Sequence, residues 1–308
     1  MCSVNGCIIF KKERSKEEIE EIEKKVREII VKAEDRGRDS YGIISINRKG
    51  EIIEIKDLGK PSDSLVYKPK FVFSDTTIVI NNNRAEPTTE FVPFKLKKDI
   101  QPFRGSRIIV SHNGIIANDM LLEKKYNLKR ESKIDSSIIP PLLEKLWDGS
   151  LEGLRDILIK EIVGSFALAL VDLKDPERLY LACNYKPLFL EYDGKLDTLF
   201  FTSLENYLKE DKVIWESNPI RQLEPYSLIT VTTQKKYDKL SLWMNNKRKE
   251  RALVVCSAGL DSTVCAKLMI DKGYDVTLLH FKYRHRAEKR EAEQVAKIAE
   301  YLNCKLYY

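Results

Sequence analysis

The pattern of predicted strands and helices changes near Leu240, and this change constrains the fold more than any other feature. Before it, many short β-rich runs are separated by polar turns and by two helical stretches, the second at about 138–159 with a break near Gly149. Such a pattern predicts antiparallel sheets with helices packed on them. After it, a strand at 252–256 and a helix at 262–272 precede a second strand and helix. Strict alternation of this kind predicts a parallel α/β sheet.

We therefore predict a first domain at 1–240, a linker at 241–251 and a second domain at 252–308. The second domain supplies only two strands, two helices and the beginning of a third strand at Lys305. Sheets usually hold about 4–6 strands. The sequence thus predicts a fragment, or a fold completed by a partner chain.

Charge and cysteine usage narrow the setting of the chain. A formal net charge of +6 over 308 residues fits a nucleic-acid partner, and equally a solvated face rich in lysine and glutamate. No apolar run approaches the about 18–20 residues that span a bilayer, so we predict no membrane partner. Six scattered cysteines without a CxxC pair argue against a disulfide scaffold or a metal site in this stretch. The cytoplasm is the predicted location.

Two features predict the start of the first domain. A strand is predicted at 4–10, and Ser15 with Glu18 forms a capping box that begins a helix. Cys2 precedes the strand, and a small second residue permits removal of Met1. Cys2 would then carry a thiol and a free α-amine, whose pKa of about 7.7–8.0 suits it as the base. A cysteine at this position is nevertheless most often a coincidence.

Four further motifs follow Cys2 along the chain, and we expect two of them, at 83–85 and 112–116, to come just after predicted strands at 77–81 and 108–111. They are the segments 35–42 (Asp-Arg-Gly-Arg-Asp-Ser-Tyr-Gly), 83–85 (Asn-Arg-Ala), 112–116 (His-Asn-Gly-Ile-Ile) and 134–137 (Ile-Asp-Ser-Ser). In order and spacing this set resembles the class II glutamine amidotransferases, and 112–116 is most similar to the hexosamine enzyme. The resemblance covers about residues 2–230, with later matches at 164–167, 186–188 and 201–203. It implies an α+β N-terminal-nucleophile hydrolase with four αββα layers.

The resemblance also implies a role for each motif. Cys2 attacks the glutamine amide, while the Asn113 side chain and the Gly114 backbone N–H form the oxyanion hole. Arg84 binds the glutamine α-carboxylate, and Asp135 binds its α-ammonium group. Ordinary alternatives are a tight turn at Asn-Gly, a surface ion pair for Arg84 and a helix cap for Asp135.

Three positions depart from the pattern of this family. Ser3 replaces a usual glycine, and Ile115 replaces an acidic residue found in many members. An Arg-Asp pair common before Lys-Pro-Leu is Cys-Asn at 183–184. The last change bears on coupling to a partner domain rather than on glutamine hydrolysis.

The second domain opens with the loop 257–262, which reads Ser-Ala-Gly-Leu-Asp-Ser between a strand and a helix. Backbone N–H groups at such a junction can cradle phosphate. The loop resembles the pyrophosphate loop of the N-type ATP pyrophosphatases, with Ala258 in place of glycine. This implies an adenine nucleotide alpha hydrolase-like fold, with ATP and Mg²⁺ held by Ser257, Gly259, Asp261 and Ser262. The alternative is an ordinary strand–turn–helix junction.

The run 279–286 (Leu-His-Phe-Lys-Tyr-Arg-His-Arg), leading into a helix rich in alanine and glutamate, resembles 7-cyano-7-deazaguanine synthase. A solvated helix start is its alternative. Together the two domains resemble split-type archaeosine synthases and related DNA-modification enzymes. The implied reaction adds glutamine-derived ammonia to the nitrile of 7-cyano-7-deazaguanine in tRNA or DNA, giving a formamidine. Whether ATP is consumed stays open, and the related synthase carries zinc in a C-terminal portion that this stretch does not contain.

Two other functions remain open. One is an asparagine synthetase-like enzyme that amidates a small carboxylic acid, which aspartate-dependent AMP release would reveal. The other is a non-catalytic regulatory protein, which would fail to react with a glutamine analogue. We also predict a homo-oligomer or a C-terminal partner chain, and glutamine hydrolysis without completed transfer by these 308 residues alone.

Overall fold

A computed structural model describes residues 2–10, 12–85, 96–209, 218–243, 251–284 and 286–308. The chain divides into two compact units, Met1–Trp243 and Met244–Tyr308. Most of the linker predicted at 241–251 lies outside the described residues, as does His285 of the basic run.

The described part of the first unit consists mainly of strands. In chain order these are β1 (Ser3–Ile9), β2 (Ser40–Asn47), β3 (Ile52–Leu58), β4 (Thr76–Arg84), β5 (Phe103–Arg104), β6 (Ile108–Ile116), β7 (Gly164–Asp172), β8 (Arg178–Cys183), β9 (Phe189–Asp193), β10 (Thr198–Thr202), β11 (Ile220–Gln222), β12 (Ser227–Thr232) and β13 (Tyr237–Ser241). The helices are α1 (Lys16–Lys32), α2 (Pro61–Ser64), α3 (Asp119–Tyr126), α4 (Ile139–Leu146) and α5 (Leu151–Lys160).

The strands form two sheets, in the orders β11-β9-β10-β1-β4-β2-β3 and β13-β12-β8-β7-β6-β5. Apolar residues of both sheets, among them Ile8, Ile80 and Val171, form one core between them. The outer face of the first sheet packs on α1, and that of the second packs on α4 and α5. The predicted four-layer αββα fold is therefore confirmed.

Local signals correctly predicted most helices. The Ser15 hydroxyl accepts a hydrogen bond from the Glu18 N–H, and the Glu18 carboxylate accepts one from the Ser15 N–H, so the capping box is present. The helical stretch predicted at 138–159 is broken near Gly149, as expected. Ser150 begins α5 by accepting a hydrogen bond from the Gly153 N–H. The predictions missed α3, which leaves Met120 and Leu121 exposed.

One predicted boundary is wrong at the candidate site. We expected 112–116 to follow a strand ending at Ser111, whereas β6 continues to Ile116. The reason is that β6 pairs with β7 along its whole length, with Gly114 opposite Phe166. The Asn-Gly pair therefore lies within a strand and is not a tight turn. Strand β4 likewise runs on to Arg84, which we expected just after its end.

The second unit contains β14 (Arg251–Val255), β15 (Asp275–Leu279), β16 (Lys305–Tyr307), α6 (Leu260–Asp271) and α7 (Glu288–Tyr301). The three strands are parallel, in the order β14-β15-β16, which confirms the predicted α/β pattern. The loop 257–262 and the basic run 279–286 follow the carboxyl ends of two adjacent strands. In parallel sheets, ligands usually bind at this edge.

Candidate active site

Cys2 directly precedes β1, the central strand of the first sheet. Strand β1 pairs with β4 so that Ser3 lies opposite Asn83, which brings Cys2 next to Arg84. Burial raises the pKa of the Cys2 thiol above its ordinary value, while the Arg84 guanidinium partly opposes this and the Asp135 carboxylate adds to it. The thiol is therefore protonated at neutral pH and needs a base before it can attack a substrate.

The segment 35–42 holds the backbone of Arg84. The Arg84 carbonyl accepts a hydrogen bond from the Asp39 N–H at 3.0 Å, and Ser40 lies opposite Arg84 in the β2–β4 pairing. A Cβ atom on Gly37 would lie 2.6 Å from the Arg84 nitrogen, so only glycine allows this close approach. The motif therefore acts by fixing the position of Arg84.

The Arg84 side chain is buried, with 4% of its surface exposed. Its Nε has no hydrogen-bond partner among the described residues. A buried guanidinium donor without an acceptor is costly, and a bound carboxylate would satisfy it. Burial argues against the alternative of a surface ion pair and fits the predicted contact with the glutamine α-carboxylate.

Asn113 lies on the same face of β6 as Ile109 and Ser111, toward the first sheet. Its Nδ2 lies 3.4 Å from the Ser203 Oγ, which also accepts a hydrogen bond from the Val4 N–H at 2.9 Å. Ser203 thus joins the predicted oxyanion donor to the strand that begins beside Cys2. In the sequence, Ser203 belongs only to the matching segment 201–203, which predicts no role for its side chain.

Gly114 is fixed by a close backbone approach. A Cβ atom at this position would lie 1.8 Å from the Ser165 carbonyl oxygen, and φ is +157°. Any other residue would push β6 away from β7. The Gly114 N–H would then shift from the place where the resemblance puts the oxyanion hole.

Two residues that sequence reasoning missed hold the backbone of His112. The Gln101 side chain accepts a hydrogen bond from the His112 N–H at 2.8 Å and donates one to its carbonyl at 3.1 Å. The Asn82 amide donates to the same carbonyl at 3.1 Å and so connects the two sheets. Both side chains are buried, and no motif in the sequence pointed to either.

Asp135 joins the site from the 3₁₀ turn Asp135–Ile138, which precedes α4. Its Oδ2 accepts from the Ile116 N–H at 2.7 Å, and its Oδ1 accepts from the Ser136 N–H at 2.7 Å. The first contact ties the carboxylate to the end of β6, which a simple helix cap would not do. Asp135 is only half-buried, so a ligand can reach it.

His112 links this turn to the second sheet. Its Nδ1 lies 2.6 Å from the Ser136 Oγ, and its Nε2 lies 3.3 Å from the Ser165 carbonyl. Burial lowers the pKa of His112, although the Asp135 carboxylate partly opposes this shift. The ring is therefore neutral at physiological pH and serves to hold Ser136 and Ser165 in place.

The candidate loop of the second unit is open to ligands. Ser257, Gly259 and Asp261 are exposed, and α6 begins directly after Gly259. The Ser262 hydroxyl donates to the Gly259 carbonyl at 3.1 Å. Ala258 adopts a φ of +64°, the left-handed conformation that glycine adopts most easily. The open N-terminus of α6 fits a phosphate group, and the contacts predicted for these residues stay predictions.

The described residues contain neither a cluster of metal ligands nor a membrane-spanning helix. In the described ranges, no three His, Cys, Asp or Glu side chains converge as metal ligands. No described helix combines the length and the apolar composition needed to cross a bilayer.

Comparisons with protein-family models match both units. Residues 88–210 match the model described as "Glutamine amidotransferase domain". Residues 251–307 match "Queuosine biosynthesis protein QueC". The first unit therefore contains a domain whose amide donor is glutamine, as in a glutamine-dependent enzyme.

Similar curated proteins match almost the whole chain. It is 51% identical to "7-cyano-7-deazaguanine synthase" of Saccharolobus solfataricus and 48% identical to "7-cyano-7-deazaguanine synthase 2" of Sulfurisphaera tokodaii. Each alignment covers 99% of this chain and 64% of the relative, so the chain spans less than two thirds of their length. A weaker similarity connects the chain to "Glutamine--fructose-6-phosphate aminotransferase [isomerizing]" of Thermococcus kodakarensis, 33% identical over 54% of this chain and 29% of the relative.

Solved structures share the fold at low sequence identity. The glutamine phosphoribosylpyrophosphate amidotransferase from B. subtilis aligns with a TM-score of 0.61 at 14% identity, over 99% of this chain and 65% of that one. A second structure, described as the allosteric regulatory enzyme of purine biosynthesis, gives a TM-score of 0.62 at 13% identity, over 94% and 70%. At these identities the similarity concerns the fold alone.

Proposed function

We propose that Cys2 releases ammonia from glutamine and that this ammonia is transferred to a 7-deazaguanine base. The proposal starts from the two parts of the chain, a class II glutamine amidotransferase domain and the QueC-type segment that follows it. The observation that carries this proposal is the convergence of Cys2, Arg84, Asn113 and Asp135 at one end of the two facing sheets. The names of the relatives support the class of acceptor.

The first half-reaction follows from the chemistry of the site. The Cys2 sulfur attacks the amide carbon of glutamine, and its proton passes to the α-amine of Cys2 once Met1 is removed. The Asn113 amide and the Gly114 N–H stabilise the oxyanion, where one donor contributes about 10²–10³ in rate. Collapse of the intermediate breaks the C–N bond, and the α-amine returns the proton to the departing ammonia. Water then hydrolyses the thioester to glutamate.

The acceptor that we favour is the nitrile of 7-cyano-7-deazaguanine within tRNA or DNA. Ammonia adds its nitrogen to the nitrile carbon, and its three protons end on the two nitrogens of the resulting formamidine, two on one and one on the other. The atoms balance without loss of water, because the nitrile is already an electrophile. This reaction needs no ATP.

A second candidate is ATP-dependent synthesis of the nitrile itself, which is the product in the names of the relatives. The open loop before α6 supports it, because Ser257, Gly259, Asp261 and Ser262 would hold the phosphates of ATP with Mg²⁺. Bound ATP would supply two activations: one lets ammonia displace an oxygen of a carboxylate, which gives an amide, and the other removes the amide oxygen, which gives the nitrile.

The first half-reaction is tested by intact-mass spectrometry with 6-diazo-5-oxo-L-norleucine, a reactive glutamine analogue. We expect loss of Met1 and one covalent adduct that is absent from Cys2→Ala. Labelling should become faster as pH rises, because burial raises the pKa of the Cys2 thiol. A retained Met1, or no adduct, would instead favour a regulatory protein.

The acceptor is tested with the protein as its host cell makes it and with glutamine labelled with ¹⁵N in the amide group. Label in a formamidine of the nucleic acid, without ATP, would support the first candidate. Label in a free nitrile, only with ATP, would support the second. Aspartate-dependent AMP release would replace both with an asparagine synthetase-like reaction. Transfer by the 308-residue form alone would contradict our prediction that it hydrolyses glutamine only.

A further inference from the structure

A groove of about 670 Å³ lies on the first unit, and its lining includes none of the residues assigned to glutamine. It is formed by β3, the 3₁₀ turn Lys97–Asp99, β5 and the segment that follows α3. Strand β3 is at one edge of the first sheet, and β5 is at one edge of the second. The groove therefore follows the open edge of the sandwich.

The groove has an excess of positive charge. Its lining contains six basic and three acidic side chains, which leaves three positive charges in excess: Lys56, Lys97, Lys98, Arg104, Lys129 and Arg130 against Glu54, Glu131 and Glu144. The whole chain has a formal net charge of only +6. Positive charge is thus concentrated at this edge.

Two of the basic side chains are neutralised by neighbours. Lys56 pairs with Glu54 at 2.8 Å, and Arg130 pairs with Asp119 at 2.5 Å. Glu144 is held in the wall, where its carboxylate accepts a hydrogen bond from the Arg107 N–H at 2.7 Å.

The other four basic residues, which we name the groove cations, are Lys97, Lys98, Arg104 and Lys129. All four are exposed, and none forms an ion pair with a carboxylate of the described ranges. On α1, by contrast, Lys16 and Lys24 each lie within 4 Å of a glutamate one helical turn away. The groove cations therefore differ from the lysines of α1, whose charges are balanced by neighbouring glutamates.

We infer that the groove binds the phosphate backbone of a nucleic acid, an inference that rests on the proposed transfer to a base in tRNA or DNA. Its polar lining does not suit a small apolar ligand, whose pockets are mostly hydrophobic. Several unpaired cations along an open groove suit a chain of phosphates, because each contact releases condensed counterions. Such contacts position a nucleic acid without reading its sequence.

The test measures binding of an unmodified tRNA transcript by fluorescence anisotropy over a range of KCl concentrations. The groove variant combines K97Q, K98Q, R104Q and K129Q. If each cation contacts one phosphate, the slope of log K against log salt should decrease by about 3–4, and affinity near 0.1 M salt should fall about 10-fold or more. A matched control removes four lysines that are paired elsewhere: K16Q, K24Q, K160Q and K209Q.

If the groove variant and the control lose the same amount of tRNA affinity, the inference is overturned, because net charge alone would then explain binding. Equal competition by poly-glutamate and by tRNA would assign the groove to an acidic protein segment and would also overturn it. Labelling of Cys2 by the glutamine analogue should be the same in both variants and in the wild type, which shows that the first unit is folded.

The experiments distinguish refutation of the groove inference from refutation of the proposed function. If the groove variant binds tRNA normally and the protein as its host cell makes it still transfers ¹⁵N to the nucleic acid, only the inference about the groove is refuted. Transfer of ¹⁵N to the free base alone would remove the nucleic-acid acceptor, whatever the groove binds.

Discussion

Ser203→Ala tests whether Ser203 positions the oxyanion donor. The Ser203 hydroxyl accepts from the buried Val4 N–H at 2.9 Å and lies 3.4 Å from the Asn113 amide nitrogen. Alanine would leave the Val4 N–H without an acceptor, which costs about 1–3 kcal/mol in the free energy of unfolding. For a unit of this size the melting temperature should fall about 2–4 °C per kcal/mol.

The same substitution should slow glutamine hydrolysis. Asn113 keeps its amide but loses one anchor, so we expect kcat to fall about 10-fold, less than the about 10²–10³ for loss of a donor. The KM for glutamine should change little, because Arg84 and Asp135 are untouched. A lower kcat at constant KM marks an interaction made in the transition state.

Glutaminase kinetics and thermal unfolding together measure both effects. The control is Ser227→Ala, a buried serine on β12, three strands from β6 in the second sheet. It should leave kcat unchanged. An unchanged kcat in Ser203→Ala, or a raised KM with the same kcat, would refute the positioning role.

Three further predictions concern the same unit. Gly114→Ala should lower the unfolding free energy by about 3 kcal/mol and abolish analogue labelling, because its Cβ would lie 1.8 Å from the Ser165 carbonyl; normal labelling would contradict this. Burial lowers the pKa of His112 from its ordinary 6.5, so His112 binds a proton at higher pH in the unfolded chain than in the folded one. The free energy of unfolding should therefore decrease as pH drops below about 6.5, and urea unfolding should show a smaller decrease for His112→Gln. Lys25→Met would remove the cation that lies within 3.2 Å of two buried carboxylates and should lower the free energy of unfolding by about 3–5 kcal/mol. The control Lys24→Met replaces an exposed neighbouring lysine and should change the free energy of unfolding by less than about 0.5 kcal/mol in the same assay.

Local signals in the sequence determined the elements and the order of the motifs. The capping box at Ser15 and Glu18 suffices to predict where α1 begins, because it acts within a few residues. Alternation of strands and helices after position 251 was enough for the parallel sheet of the second unit. The ordered motifs from Cys2 onward indicated the glutamine amidotransferase domain that the comparisons match.

The tertiary structure alone decided which side chains support the site. Strand β6 extends through 112–116 because β7, about fifty residues later, pairs with all of it. Gln101 and Asn82 hold the His112 backbone from separate strands and loops, and Ser203 reaches Val4 across 199 positions. Hydrogen bonds between residues so far apart leave no periodicity in the sequence, since each depends on which backbone groups the packed sheets bring together. The sequence therefore determined which residues could perform the chemistry, and the facing sheets determined what holds them in place.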